Sequence, residues 1–287
     1  MPERRPTVSL VIPAYNEESH LAACLEAVAR QTVRPLEVIV VDNNSTDGTA
    51  AVARQYPFVT LLHEPRQGVA YARDAGFNAA RGDIIGRTDG DGLLAPNWVE
   101  ELQKAFLDPT VDASSGVIEY CDVGLKKVFN FIDERFRRYL AARTSAINEL
   151  FLYGVNMGIR RSAWEAVRGN VCHIRRLHED LDLAAHMAHA RKRVTFTPNM
   201  RVTIAPRQAA ANIYDFYQYV WSGPQVYVEH GLRGQRYMYP MAVFTSVLYV
   251  PIHLLYKGYN PARQRFSLPY VWRSEVQTRV SPVSETV

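Results

Sequence analysis

Apolar residues along the first hundred positions alternate between two periods. The segments 8–12 and 37–42 are short β-branched runs, the pattern of strands buried on both faces of a parallel sheet. Between them Leu21, Cys24, Leu25 and Val28 recur at helical spacing, with Asn16 and Ser19 as candidate caps and Pro35 beyond the end. The alternation then repeats: Thr46-Asp47-Gly48 opens a helix reaching Ala53, 58–62 is a strand, 67–80 a helix and 83–88 a strand. Strands and helices alternating at this spacing predict an α/β fold with a mainly parallel sheet, helices on both faces and right-handed crossovers.

Beyond Asp91 the pattern predicts a helix over 96–106 with Pro96 at an early position, a strand over 113–120 and a basic amphipathic helix over 126–143. A strand over 156–160, helices over 162–167 and 181–190, and strands over 193–197 and 201–204 follow. From Ala209 the chain turns helical and aromatic. We therefore divide it into a sheet domain over 1–205, a helical extension over 206–273 and a polar, frayed tail over 274–287. The stretch 238–256 has no charge except on His253 when protonated, and its 19 residues approach the ~20 needed to cross a bilayer. Pro240, Pro251, Thr245, Ser246 and His253 make it a poor lone span, so an interfacial helix pair or a protein-buried helix is the expectation. Core, homodimer contact and bilayer remain three open uses for it.

Composition narrows the class. With 47% apolar and 22% charged residues in 287, the chain is an ordinary globular protein with enough length for a sizeable core. Cys24, Cys121 and Cys172 are odd in number, widely spaced and form no C-x-x-C, which argues against a disulfide framework or a cysteine zinc site and suits a reducing cytosol. No secretory signal is read at the start. The net charge of +4 conceals a gradient: residues 1–100 carry −4 (9 Lys/Arg against 13 Asp/Glu) and residues 201–287 carry +5 (9 against 4). The two ends should meet different partners.

Three strand ends carry candidate chemistry: 13–17 (Pro-Ala-Tyr-Asn-Glu), 42–48 (Asp-Asn-Asn-Ser-Thr-Asp-Gly) and 88–92 (Thr-Asp-Gly-Asp-Gly). Ligands of open parallel sheets bind beyond the carboxyl ends of strands, so all three share one rim. Asp89 and Asp91, two apart in an extended segment, point to one side with Gly90 and Gly92 allowing close approach. Two such oxygens suit Mg²⁺ or Mn²⁺ together with a substrate phosphate; an Asp/Gly turn is the plainer reading. Asp42 ends its strand one step too early to cap the next helix. No G-x-G-x-x-G or G-x-x-x-x-G-K-[ST] is present, which disfavours dinucleotide oxidoreductases and P-loop ATPases. Glu179, Asp180 and Asp182 precede an apolar helical run, where the helix dipole explains one or two of them and a cleft-facing general base explains another. His186 and His189 could begin a zinc site, with His230 or His253 as distant ligands, but satisfied helical histidines are the simpler reading. Lys126, Lys127, Arg135, Arg137, Arg138 and Arg143, interleaved with aromatics, are either a solvated face or a seat for anionic headgroups. No nucleic-acid motif accompanies them.

Taken in order, 11–17, 40–48, 68–76, Asp89-Gly-Asp91 with Pro96-x-Trp98, and Glu179-Asp180-Leu-Asp182 resemble a family 2 glycosyltransferase of the GT-A fold over about residues 7–205. The resemblance implies transfer of a sugar from a nucleotide-diphosphate sugar, UDP ahead of GDP, to an acceptor hydroxyl on a glycan or lipid-linked molecule, with inversion. It implies that Pro13, Tyr15 and Glu17 line the nucleotide pocket, Asp42 reaches the base, and Arg73 lies near the nucleotide. Asp89 contacts ribose or metal, Asp91 holds Mg²⁺ or Mn²⁺, Asp180 is the base, and Glu179 holds the acceptor or orients the loop. Asp74 and Arg66-Gln67 depart from the family's Asn-containing patterns. No Gln-x-x-Arg-Trp follows, which argues for a non-processive enzyme. A cytoplasmic protein, peripheral on the membrane face through 126–143 and 238–256, is expected. A nucleotidyltransferase and a non-catalytic nucleotide-sugar or glycan binding protein are the rivals.

Overall fold

The computed structural model describes residues 5–121, 126–145, 149, 151–174, 177–205, 213–247, 249–260 and 265–266. The predicted tail over 274–287 lies outside the described residues. The elements are β1 (Val8–Ala14), α1 (Leu21–Ala29), β2 (Glu37–Asp42), α2 (Thr49–Arg54), β3 (Val59–His63), α3 (Val69–Ala79), β4 (Ile84–Arg87) and β5 (Leu93–Leu94). They continue with α4 (Trp98–Ala105), β6 (Ala113–Tyr120), α5 (Lys126–Ser145), β7 (Met157–Arg160), α6 (Arg161–Val167), α7 (Glu179–His189) and β8 (Val194–Ile204). Three helices follow, α8 (Ile213–Glu229), α9 (Gln235–Val247) and α10 (Tyr249–Lys257), and then a two-residue ladder of β9 (Tyr259–Asn260) and β10 (Arg265–Phe266).

Among the described residues, eight strands form one mixed sheet in the order β3-β2-β1-β4-β7-β6-β8-β5. The first four in that order are parallel to one another, while β7 runs antiparallel between β4 and β6. Alternate residues of β1, β2 and β4 feed opposite cores, as strands buried on both faces must. Leu10, Ile12, Val38, Val40 and Ile84 join α1 and α4 on one side. Val11, Ile39, Val41 and Ile85 join α3, α6 and α7 on the other. Gly76 lets α3 lie directly on this second face, because a Cβ there would fall 2.3 Å from Val11 Cγ1 and 3.0 Å from Val41 Cγ2.

Two local readings change. The predicted caps Asn16 and Ser19 do not cap α1, which starts after His20 with no side-chain cap bond. Asn16 instead takes a left-handed φ of 51° and accepts the Thr46 N–H at 2.8 Å. The two strands expected over 193–204 are one strand, β8. Its pairing with β6 slips between Gly116 and Val117, and Asn156 fills the irregularity by donating to the carbonyls of Val117 and Met200. Asn156 also accepts the indole N–H of buried Trp98 at 2.7 Å, so the Pro-x-Trp motif serves the core.

Prolines shape the extension. Pro224 and Pro240 lie inside α8 and α9, and α10 leaves α9 at 50° with Pro251 in its first turn, where a missing N–H costs little. Among the described residues no single helix is long and apolar enough to cross a membrane; the bent pair of α9 and the start of α10 passes by length and composition together. The extension is seated on the sheet domain: the His178 ring stacks edge-on against Tyr219 at 4.4 Å and its Nε2 bonds the Tyr219 carbonyl at 2.8 Å.

Candidate active site

The carboxyl ends of β1, β2 and β4 lie side by side, as their registers require: Ala14 pairs with Asp42, and Val11 with Arg87. The loop after β1 and the loop after β2 are stapled together there. Asn16 N–H donates to Ser45 Oγ at 3.1 Å, Glu17 N–H to Thr49 Oγ1 at 2.8 Å and Glu18 N–H to Asp47 Oδ2 at 3.1 Å. Asp42 is buried at the strand end, takes a long bond of 3.3 Å from Ser45 N–H and faces His63 Nδ1 at 3.5 Å. Its neighbour Asn43, which sequence reasoning passed over, bonds the carbonyls of Glu64 and Arg66 and the N–H of Gly68. Asn43 thereby draws the loop before α3 onto the rim. Tyr15 is half-exposed above, whereas Pro13 is buried within β1.

Glu17, Asp89 and Asp91 converge around one buried thiol. Burial pushes Cys24 far above the usual thiol range, and the negative charges of Asp91, Asp89 and Glu17 push it further. The Asp89 carbonyl lies 3.7 Å from Cys24 Sγ. A Cβ on Gly90 would stand 3.1 Å from Glu17 Cγ, so the glycine admits that side chain beneath the acidic turn. Carboxylates from one turn with a third behind them are hard oxygen donors, a set that suits Mg²⁺ or Mn²⁺ and not a soft metal. Asp89 and Asp91 are the residues that could hold such an ion.

Behind this rim runs a buried charge network. Arg87, at the end of β4, donates from Nη2 to Asp89 Oδ1 at 3.1 Å and from Nη1 to Glu179 Oε1 at 2.5 Å. Arg73, on α3, donates to Glu179 Oε2 at 2.7 Å and to the Glu179 carbonyl at 2.6 Å, and its Nε bonds Asp74. The side chains of Arg73 and Arg87 are 0% and 2% exposed. Arg73 is sealed inside, with its guanidinium on Glu179 and Asp74. Glu179 has one oxygen on each guanidinium, an arrangement that fits orienting its loop. A lone arginine in a helix gives no sign of a partner 106 residues away.

Asp180 follows at the start of α7. Its Oδ2 accepts the Gly154 N–H at 2.8 Å and its Oδ1 the Leu181 N–H at 2.9 Å, leaving further lone pairs on both oxygens. Burial raises its pKa above the ordinary aspartate value, and the Glu179 charge adds to that; His178, the Gly154 bond and Arg87 oppose it. Gly154 went unflagged in the sequence. A Cβ there would lie 2.8–3.0 Å from the Arg87 guanidinium, so only glycine lets Arg87 pass beneath while the same residue's N–H reaches Asp180.

The family model for glycosyl transferase family 2 matches residues 9–168, which hold the rim and most of the sheet. The chain belongs to this family. Among relatives of this family-2 protein, glycosyltransferase AglE of Haloferax volcanii is 36% identical over 122 residues, 40% of each chain. Chondroitin synthase of Pasteurella multocida is 38% identical over 108 residues, 36% of this chain and 11% of that one. The matched segment thus spans less than half the length of these relatives. Mannosyltransferase PcManGT from Pyrobaculum calidifontis, solved with GDP-Man and Mn²⁺, superposes with a TM-score of 0.66 at 23% identity, over 94% of this chain and 78% of that one. The fold is GT-A, as the sequence resemblance implied.

Proposed function

We propose that this chain is an inverting, divalent-metal-dependent glycosyltransferase that moves a sugar from a nucleotide-diphosphate sugar to a hydroxyl of a glycan or lipid-linked acceptor, one sugar per encounter. The observation that carries this reading is the path Asp89–Arg87–Glu179–Asp180. It joins an acidic rim suited to a metal-bound diphosphate to a carboxylate suited to taking a proton. Asp180 is the general base: a single in-line displacement inverts the anomeric carbon and needs one proton acceptor and no enzymic nucleophile. Glu179 acts through position, clamped by Arg73 and Arg87 so that the first turn of α7 presents Asp180. Tyr15 and Asp42 face the nucleotide, with Pro13 as floor and Glu17 behind the acidic turn. When bound, an Mg²⁺ or Mn²⁺ on Asp91 and Asp89 would neutralise charge on the departing diphosphate.

PcManGT is solved with GDP-Man and the Staphylococcus aureus protein TarS with UDP-GlcNAc, so this fold accommodates either base. Our reading places UDP ahead of GDP for this chain. A thermal-shift screen of UDP-, GDP- and dTDP-sugars with and without Mn²⁺ tests it, because a specific ligand raises apparent stability by mass action. The matching sugar should then release nucleoside diphosphate in the presence of acceptor. Release of pyrophosphate would mark a nucleotidyltransferase, and binding without turnover a non-catalytic protein. Asp180→Asn should lower turnover by about 10²–10⁴-fold while keeping nucleotide affinity. Wild-type turnover in that variant would remove Asp180 from the role.

The same reading places the protein on the cytoplasmic face of a membrane. Its support is an exposed apolar surface. α5 contributes Val128, Phe131 and Ile132, and α9 and α10 contribute Val243, Phe244, Val247, Val250 and Leu254. The rings of Phe136 and Phe244, 6.1 Å apart, hold α5 beside α9. Part of the basic cluster belongs elsewhere. Arg137 points inward, paired with Asp133 at 2.5 Å and lying 4.3 Å over the Tyr153 ring, and Arg138 pairs with Glu134. Lys126, Lys127, Arg135 and Arg143 remain exposed.

A further inference from the structure

We propose that Cys172, Asp182, His186 and His230 form a tetrahedral zinc site that clasps the C-terminal helices to the catalytic loop. The four come from three parts of the chain: the loop before α7, two turns of α7 itself, and the residue just past the end of α8. One ligand atom from each lies within 4.8 Å of all the others. Cys172 Sγ stands 3.6 Å from His186 Nε2, His186 Nε2 is 3.6 Å from Asp182 Oδ1, and His230 Nε2 is 2.9 Å from the same oxygen. A tetrahedral zinc with bonds of ~2.0–2.3 Å sets its ligand atoms ~3.3–3.8 Å apart. Two of these separations already match, and the third needs to open by only about half an ångström to reach that range.

The chemistry of the set selects the ion. One thiolate, one carboxylate and two neutral imidazoles give zinc a coordination shell with no net charge, which suits its half-buried position. Asp182 is 1% exposed, and the side chains of His186 and His230 are 14% and 12% exposed. The arrangement is braced from outside. Asp182 Oδ2 accepts the Cys172 N–H at 2.9 Å, fixing thiol and carboxylate together, and His189 Nε2 bonds the His230 carbonyl at 3.1 Å. The His186 and His230 rings meet edge-on at 4.8 Å, with both Nε2 atoms toward Asp182. Four protein ligands close the shell, so the ion is structural.

The sequence pointed away from this site for a reason. His186 and His189 looked like the pair, and the cysteines looked too far apart to contribute. The actual partner of His186 is His230, which lies 48 residues beyond Asp182. Zinc here would tie α8 to α7, whose first turn carries Glu179 and Asp180, so it is a positioning element two residues from the proposed base. It does not depend on the transferase reading and uses none of the rim acids.

The test uses the full-length protein purified without chelator. Elemental analysis should find one zinc per chain, falling to background in Cys172→Ser and in His230→Gln. Cobalt(II) added to metal-stripped wild-type protein should give a thiolate-to-metal charge-transfer band, which the carboxylates of the rim do not produce. That band should persist in Asp91→Ala and vanish in Cys172→Ser. Chelation should lower the melting temperature of wild type more than that of His230→Gln. If Cys172→Ser fails to fold, the wild-type cobalt spectrum and His230→Gln decide the matter. A cobalt spectrum without the thiolate band, or zinc content unchanged in both variants, would overturn the proposal.

Discussion

Arg87 and Glu179, 92 residues apart in sequence, share a buried ion pair at 2.5 Å, and the second terminal nitrogen of the same guanidinium reaches Asp89 at 3.1 Å. One planar cation thus ties the acidic rim to the loop that presents Asp180. Lysine keeps the charge but not the fork, so it can serve one carboxylate at a time. Arg87→Lys should lower kcat/KM by about 10²-fold through misplacement of Asp180 relative to the rim. Arg87→Met leaves Glu179 with one buried partner and should cost about 3–5 kcal/mol of stability, read by urea denaturation. An Arg87→Lys enzyme with wild-type kinetics would separate the network from catalysis.

The environment of Asp180 predicts a pH profile. Burial and the Glu179 charge hold its carboxyl above the ordinary aspartate range. A base must be ionised, so kcat/KM should fall as pH drops through that raised value, with the acid limb above the ~3.9 of an unperturbed aspartate. The stability sign is opposite. A carboxyl raised in the folded state costs stability in full above its folded pKa, and the cost is relieved as pH falls through it. Glu179→Gln removes one raising charge and leaves two guanidinium groups partly unpaired, and both changes favour ionised Asp180. The acid limb of that variant should move to lower pH, while its melting temperature falls. An acid limb that does not move would detach it from Asp180.

Removal of the divalent ion should act on nucleotide affinity first. In calorimetric titrations, wild-type protein should bind UDP or GDP more tightly with Mn²⁺ than in EDTA, and Asp91→Ala should lose that difference. Asp91 is buried, and its charge acts on Cys24 together with those of Asp89 and Glu17. Metal-enhanced affinity that survives in Asp91→Ala would move the ion elsewhere on the rim.

Much of this was legible in the chain, and the division is physical. Strands such as β2, apolar on both faces, have few alternatives, and the pattern over 113–120 coincides with β6. Short acidic turns at strand ends declare a ligand rim because topology places those ends together. Long-range polar partnerships leave no such periodic trace. Arg73 shows no partner in the chain until α3 is laid on the sheet and its guanidinium meets Glu179. Gly154 reads as a turn until Arg87 is found beneath it. Arg137 reads as a surface cation until Asp133 and Tyr153 claim it.

The apolar surface formed by α5, α9 and α10 supplies the last prediction. Val247 and Val250 are 71% and 57% exposed on either side of the 50° bend, with Phe244 a turn before and Leu254 a turn after. Burying a side chain of this size in hydrocarbon is favourable by about 1.5–3 kcal/mol, so two of them decide whether the face holds to a bilayer. Val247→Asp with Val250→Asp should lower partition onto anionic phospholipid vesicles by about 10²-fold or more at unchanged melting temperature. High salt should weaken wild-type binding only in part, because Lys126, Lys127 and Arg135 add about 1 kcal/mol each near the surface while the apolar contribution is unscreened. Unchanged partition in the double variant would leave this face to a second copy of the chain, which sedimentation equilibrium would then show as a dimer that the same substitutions dissociate.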